Sequence, residues 1–240
     1  MIRPTRSYIV AATPRTGSSL LCEALRATQI AGRPDEVFAP AFRSLWLDAL
    51  RLPADASFEE YFDTAIQHGT TTNGIYAMKI QAMHIAVLAN DIGFAGPPED
   101  VLDSLFPGAQ YVNMVRRDRE SQARSWFRAI RTNEWWRFEG EVRPRAPEPA
   151  PEPGTIRELE EHIEHQQSQW EQYFRSRGAQ ALRVEYEDLA AARREETGRV
   201  LSFLGLDPTA ATRIPPPFLT RQSIQEDSSD AEVAAQHRRG

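Results

Sequence analysis

Short unbroken apolar runs alternate along the chain with longer stretches whose apolar side chains recur at helical spacing. The first run, Tyr8-Ile9-Val10-Ala11, is too short for a helix and predicts a buried strand over 7–12. Helical pattern follows over 18–28, with Ser18 at its start and Gly32 and Pro34 beyond its end. Segments 41–50 and 57–68 are also expected as helices, the second opening on Ser57-Phe58-Glu59-Glu60. Residues 75–80 predict a second strand, followed by helix over 81–90. Gln110-Tyr111-Val112-Asn113-Met114-Val115 predicts a third, running into a helix capped by Asp118. Leu182-Arg183-Val184-Glu185-Tyr186 predicts a fourth, with helix over 188–204 that stops near Gly205 and Pro208. A polar helix is expected over 155–177. Strands separated by helices predict a P-loop-like α/β fold, a parallel β-sheet flanked by helices. Ligands of such sheets bind at the carboxyl ends of the strands.

Two stretches break the pattern. Residues 143–154 hold five prolines and cannot be helix or inner strand, so an extended surface loop is expected. Residues 227–240 are polar and rich in small residues, a tail outside a single domain spanning 1–226. At 240 residues and 41% hydrophobic, the chain supports one substantial core. A net charge of −6 argues against nucleic acid as a partner. No apolar stretch approaches the length of a membrane span, so no transmembrane segment is expected. The single cysteine, Cys22, forms no disulfide within the chain, which fits a cytoplasmic location and a packing role in the first helix.

The most informative segment is Ala12-Thr13-Pro14-Arg15-Thr16-Gly17-Ser18-Ser19, between the first strand and the first helix. A tight small-residue turn feeding a helix N-terminus gathers backbone N–H groups on an anion. In register with G-x-x-x-x-G-K-[ST], however, Ala12 replaces the first glycine and Ser18 the lysine. The positive charge lies inside the turn, at Arg15. A kinase or nucleoside triphosphatase would need that lysine and a carboxylate to place magnesium. A nucleotide-binding protein without catalysis is the other alternative.

Further candidates lie near the other strand ends. Arg116 and Arg117 close the third strand, and Ser121 and Ser125 stand four apart on the helix behind them. Lys79 ends an otherwise apolar strand, where a buried amine needs an anionic partner, unless it snorkels to the surface. Trp126, Phe127, Trp135, Trp136 and Phe138 concentrate aromatics in one stretch, of which one or two are expected at a ligand site. The five histidines show no metal-ligand spacing; His162 and His165 fall on the polar helix.

The turn resembles the 5′-phosphosulfate loop of sulfotransferases that use 3′-phosphoadenosine-5′-phosphosulfate (PAPS), and most closely the Stf-zero family. Further blocks carry the resemblance: Leu25-Arg26-Ala27-Thr28, Pro34-Asp35-Glu36, Gly74 to Lys79, Arg116-Arg117-Asp118 with Ser121-Gln122-Ala123, and Leu219-Thr220-Arg221-Gln222-Ser223. It implies the sulfotransferase fold and transfer of the sulfuryl group of PAPS to a hydroxyl, leaving adenosine 3′,5′-bisphosphate without a metal. It implies that Pro14, Arg15, Thr16, Gly17, Ser18 and Ser19 hold the phosphosulfate. Arg116 with Ser121 or Ser125 would clamp the 3′-phosphate, with Arg117 the competing cation, and Arg221 would close over the nucleotide. Glu36 takes the place of the general base, although neighbouring Asp35 offers the same chemistry. Lys79 would neutralise charge on the leaving group. The resemblance also implies a homodimer, and it leaves the acceptor open among sugars, glycolipids and small hydroxylated metabolites.

Overall fold

The computed structural model describes residues 4–136 and 150–218. Its centre is a four-stranded parallel sheet of β1 (Arg6–Ala12), β2 (Ile75–Gln81), β3 (Gln110–Val115) and β4 (Ala181–Glu185) in the order β2-β1-β3-β4. The strands read as near-continuous apolar runs because both faces of the sheet are covered. Side-chain alternation divides them between two cores. Tyr8, Val10, Ala12, Ile75, Ala77, Val112, Met114 and Val184 face α1 (Ser18–Ala27), α8 (Tyr186–Ala191) and α9 (Arg193–Phe203). Ile9, Ala11, Tyr76, Met78, Ile80 and Tyr111 face α2 (Arg43–Ala49), α3 (Phe58–Gly69), α4 (Ile85–Asp91), α5 (Val101–Leu105) and α7 (Thr155–Arg177). Helix α6 (Arg119–Thr132) packs against α7.

Helix starts follow local chemistry. Ser57 accepts from the Glu60 N–H at 3.1 Å and Asp118 from the Ser121 N–H at 2.9 Å, each satisfying an orphan donor of its first turn. Cys22 is buried in α1, and burial pushes its thiol up to about 12, which leaves it an inert packing group.

Three elements differ from the sequence pattern. The helix expected over 81–90 opens as a 3₁₀ turn at Ala82–His84 and becomes α-helical at Ile85. Helix α5 has five residues, fewer than periodicity can register. The stretch 188–204 is not one helix but two, α8 and α9, separated by Ala192 at φ −135° and ψ 56°. The bend lets Leu189 of α8 and Val200 and Leu201 of α9 enter the same core.

The chain leaves β1 toward β2 on one side and leaves β3 toward β4 on the other. Connections diverging from neighbouring strand ends open a crevice between them. The turn after β1 and the turn after β3 border that crevice.

Candidate active site

The turn between β1 and α1 is held from behind. Gln122 of α6 donates from Nε2 to the Thr13 hydroxyl at 3.0 Å and to the Pro14 carbonyl at 2.6 Å. Trp170 of α7 donates from Nε1 to the Ala12 carbonyl at 2.9 Å. Arg15 adopts φ 62° and Gly17 φ 79°, the left-handed pair that curls the chain into a nest. Gly17 has a second reason to be glycine: a Cβ there would lie 2.3 Å from the Tyr186 ring. The α1 N-terminus carries neither a side-chain cap nor an acidic residue in its first turn, so its amides remain open to an anion.

Arg15 reaches across the crevice to α6, donating from Nε to the Ser125 hydroxyl at 3.0 Å and from Nη1 to the Trp135 carbonyl at 2.5 Å. The Arg116 guanidinium lies 4.7 Å from the centre of the Tyr186 ring. Burial, followed by the charges of Arg116 and Arg128, lowers Arg15 to about 10. Three guanidiniums gathered in this way form a strongly anion-attracting patch. Arg117 is turned outward, paired with Glu185 at 2.6 Å and Asp188 at 2.7 Å.

The adjacent carboxylates are separated by strand geometry. Asp35 forms a one-residue parallel bridge with Met78, and its carbonyl accepts from the Lys79 N–H at 3.0 Å. Successive side chains on an extended segment point to opposite sides. Asp35 meets Arg26 and, at 3.3 Å, the His68 Nε2. Glu36 faces the crevice, with Lys79 Nζ 2.7 Å from Oε2 and Gln81 Nε2 donating to Oε1 at 2.7 Å. Lys79 also donates to the Ser19 hydroxyl at 3.3 Å, which joins the carboxylate to the phosphate-loop helix. Burial opposes the Lys79 charge, but Glu36, then Cys22 and Asp35, together hold the ammonium above its ordinary value. His84 lies beside the pair, its Nδ1 3.7 Å from Glu36 Oε1. Burial lowers its pKa in spite of Glu36.

One cleft of about 1070 Å³ brings together Pro14, Arg15, Gly17, Ser18, Ser19, Glu36, Lys79, Arg116, Ser121 and Ser125. Thr16 is not among its walls; its side chain is buried and donates to the Thr13 carbonyl at 3.1 Å. Arg221 and Phe138 lie outside the described residues, as do the tail and residues 143–149 of the proline-rich stretch. Phe42, Trp126, Trp135 and Trp136 form an aromatic side of the cleft, with the Phe42 and Trp136 rings 4.8 Å apart. Phe127 is buried away from it, and His162 and His165 are exposed. Among the described residues no group of three His, Cys, Asp or Glu side chains is placed to hold a metal. Nor is any described helix long and apolar enough to cross a membrane.

Sequence reasoning passed over Gln81, His84 and Tyr186 as wall residues. Gln81 was signalled, since it lies two residues from Lys79 on the same strand and so on the same face. The other two emerge only once β4 and the turn after β2 are placed in space.

A solved sulfotransferase from Alicyclobacillus acidocaldarius shares the fold, with a TM-score of 0.50 and 15% identity over 99% of this chain and 92% of its own. The trehalose 2-sulfotransferase of Mycobacterium tuberculosis is 29% identical over 94% of this chain and 92% of its own length. Its Mycolicibacterium smegmatis counterpart is 29% identical over 91% and 90%. The Stf0 sulphotransferase family matches residues 7–239, the parallel sheet and its crevice included, and the chain belongs to that family of sulfotransferases.

Proposed function

We propose that the protein is a PAPS-dependent O-sulfotransferase that modifies a sugar hydroxyl, with Glu36 as general base. The observation carrying this reading is Glu36 itself, the one carboxylate of its pair that faces the crevice, joined through Lys79 and Ser19 to the anion-binding turn. The residues suit the nucleotide. The glycine nest, the uncapped α1 N-terminus and the guanidiniums of Arg15 and Arg116 match a phosphosulfate and a second phosphate. PAPS supplies the sulfuryl group and is converted to adenosine 3′,5′-bisphosphate.

The remaining chemistry belongs to this chain. Backbone donors of Gly17, Ser18 and Ser19 and the Arg15 fork stabilise charge that builds on the leaving phosphate. Arg116 holds the 3′-phosphate from its stacked position on Tyr186, with Ser125 held at hand by Arg15. Lys79 holds Glu36 aimed into the crevice. Glu36 takes the acceptor proton as the new oxygen–sulfur bond forms. Phe42, Trp126, Trp135 and Trp136 offer flat apolar surfaces on which a sugar ring can stack. The trehalose-modifying relatives favour a sugar over other hydroxyl compounds. A homodimer in the cytoplasm completes the reading; light scattering of the purified chain tests the first and fractionation of cells the second.

The test of the base is a pair of variants assayed with radiolabelled PAPS and trehalose. Glu36→Gln keeps shape and accepting oxygen but cannot take the proton, so turnover is expected to fall by about 10²–10⁴ with PAPS affinity within a few-fold. Asp35→Asn, which touches Arg26 and His68 instead, is expected to retain most turnover. An active Glu36→Gln variant beside an inactive Asp35→Asn variant would move the base by one residue.

A further inference from the structure

The anion-binding turn, the arginines and Glu36 leave one buried polar group of the cleft without a task. His84 ends the 3₁₀ turn after β2, and its side chain is only 15% exposed. Its Nδ1 is buried and makes no hydrogen bond, yet it lies 3.7 Å from Glu36 Oε1. Among the described residues the charges acting on the ring are Glu36, from the segment after α1, and Lys79, from β2. Burial, only partly relieved by Glu36, keeps the imidazole neutral in the resting protein. In its Nε2–H tautomer the neutral ring presents an unused Nδ1 lone pair toward Glu36.

Glu36 itself is a poor place for a proton to stay. Protonating it removes the countercharge of Lys79, whose side chain is 8% exposed and only 2.7 Å away. A buried ammonium left without its partner is among the costlier arrangements in a protein interior. A second acceptor nearer solvent relieves it.

We propose that His84 relays the acceptor proton from Glu36 toward solvent. The inference rests on the reading of Glu36 as the base. As the acceptor oxygen bonds to sulfur, its O–H bond breaks and the proton passes to Glu36. A small ring shift in the substrate complex closes the 3.7 Å gap to hydrogen-bond reach. The carboxylic O–H then breaks, the His84 Nδ1 lone pair takes the proton, and the carboxylate opposite Lys79 is restored. The imidazolium releases its Nε2 proton to water in the cleft, and exchange with water resets the tautomer. The proton moves outward in passing from a carboxylate 7% exposed to a ring 15% exposed.

The test uses the full chain carrying isotope-labelled histidine, with adenosine 3′,5′-bisphosphate added, and long-range proton–nitrogen NMR, His84 being assigned through His84→Gln. The expected result at pH 7 is a neutral ring protonated on Nε2, with a midpoint below that of an ordinary histidine and lower again in Glu36→Gln. A ring protonated on Nδ1 at pH 7, whether neutral or charged, overturns the relay. The kinetic arm follows radiolabelled PAPS with trehalose. His84→Ala is expected to lose kcat on the order of a hundredfold, the lower end for a positioned proton-transfer group. Its KM for PAPS should stay within about twofold, and added imidazole should restore part of the rate, which repair of a merely structural defect would not do. A loss untouched by imidazole, or no loss at all, removes the relay while an inactive Glu36→Gln keeps the base. An active Glu36→Gln removes both. The NMR arm needs no acceptor and decides alone if trehalose is not modified.

Discussion

The buried Lys79–Glu36 pair gives the sharpest energetic prediction. Both side chains are under a tenth exposed, 8% and 7%, and their charged atoms are 2.7 Å apart. In Lys79→Met, among the described residues, the Glu36 carboxylate keeps the Gln81 amide at 2.7 Å, with the His84 ring at 3.7 Å beyond hydrogen-bond distance in the resting structure. Breaking one side of a buried pair costs about 3–5 kcal/mol. For a domain of this size, roughly 2–4 °C of Tm accompanies each kcal/mol, so a fall of about 6–20 °C is expected. Glu36→Gln leaves the Lys79 ammonium buried with an amide oxygen in place of its countercharge, so a loss in the same range, about 3–5 kcal/mol, is expected. The double variant carries neither charge, so its loss should be well below the sum of the singles, with a coupling above about 2 kcal/mol. The assay is thermal and urea denaturation followed by circular dichroism at pH 7.

The same pair has a signature in pH. The folded pKa of Lys79 is raised above the ordinary 10.5, so its contribution is complete below that value and is lost as pH rises through the folded one. The gap in Tm between wild type and Lys79→Met should therefore be flat from neutral pH to about 10 and close above it. Additive single variants, or a gap that stays fully open as pH rises well above 10.5, would refute the reasoning.

Three further outcomes follow from the same geometry. Adenosine 3′,5′-bisphosphate should bind about ten- to a hundredfold tighter than AMP by calorimetry, the worth of one charged hydrogen-bonding partner at Arg116. Arg15→Ala should lower turnover by about a hundredfold or more and nucleotide affinity far less, since its largest effect falls where charge develops; equal losses in both would reassign it to ground-state binding. Gly17→Ala should cost about 1–2 kcal/mol for the left-handed backbone alone, and more once its Cβ displaces the Tyr186 ring from beneath Arg116; unchanged Tm and affinity would contradict the observed contact.

What the sequence disclosed depended on whether the cause was local. Strands β1 to β3 were legible because burial on two faces demands continuous apolar runs, and the turn from Thr13 to Gly17 because its residues are contiguous. Spacing put Ser121 and Ser125 on one face of α6, but only the rotation of that helix against β1 assigns Ser125 to Arg15. Asp35 and Glu36 were indistinguishable as neighbours in sequence; the single bridge to Met78 decides which one faces the cleft. Gln122 lies 109 residues from the Thr13 hydroxyl it holds, a distance that no local pattern spans. The break at Ala192 went unseen because an alanine-rich stretch carries no breaker, and tertiary packing alone bends it there.

The strand order has a consequence for how the protein is made. β1 is synthesised before both of its partners, which begin at Ile75 and Gln110. At about 5–20 residues per second, roughly 5–20 s separate the emergence of β1 from completion of β3. Throughout that interval Tyr8-Ile9-Val10-Ala11 is an uncharged, β-prone segment with no partner on one or both edges, the composition that seeds aggregation. Slower translation lengthens the exposure and a holding chaperone shortens its effect, so the yield of folded enzyme should respond to chaperone supply more than to the stability of the finished fold.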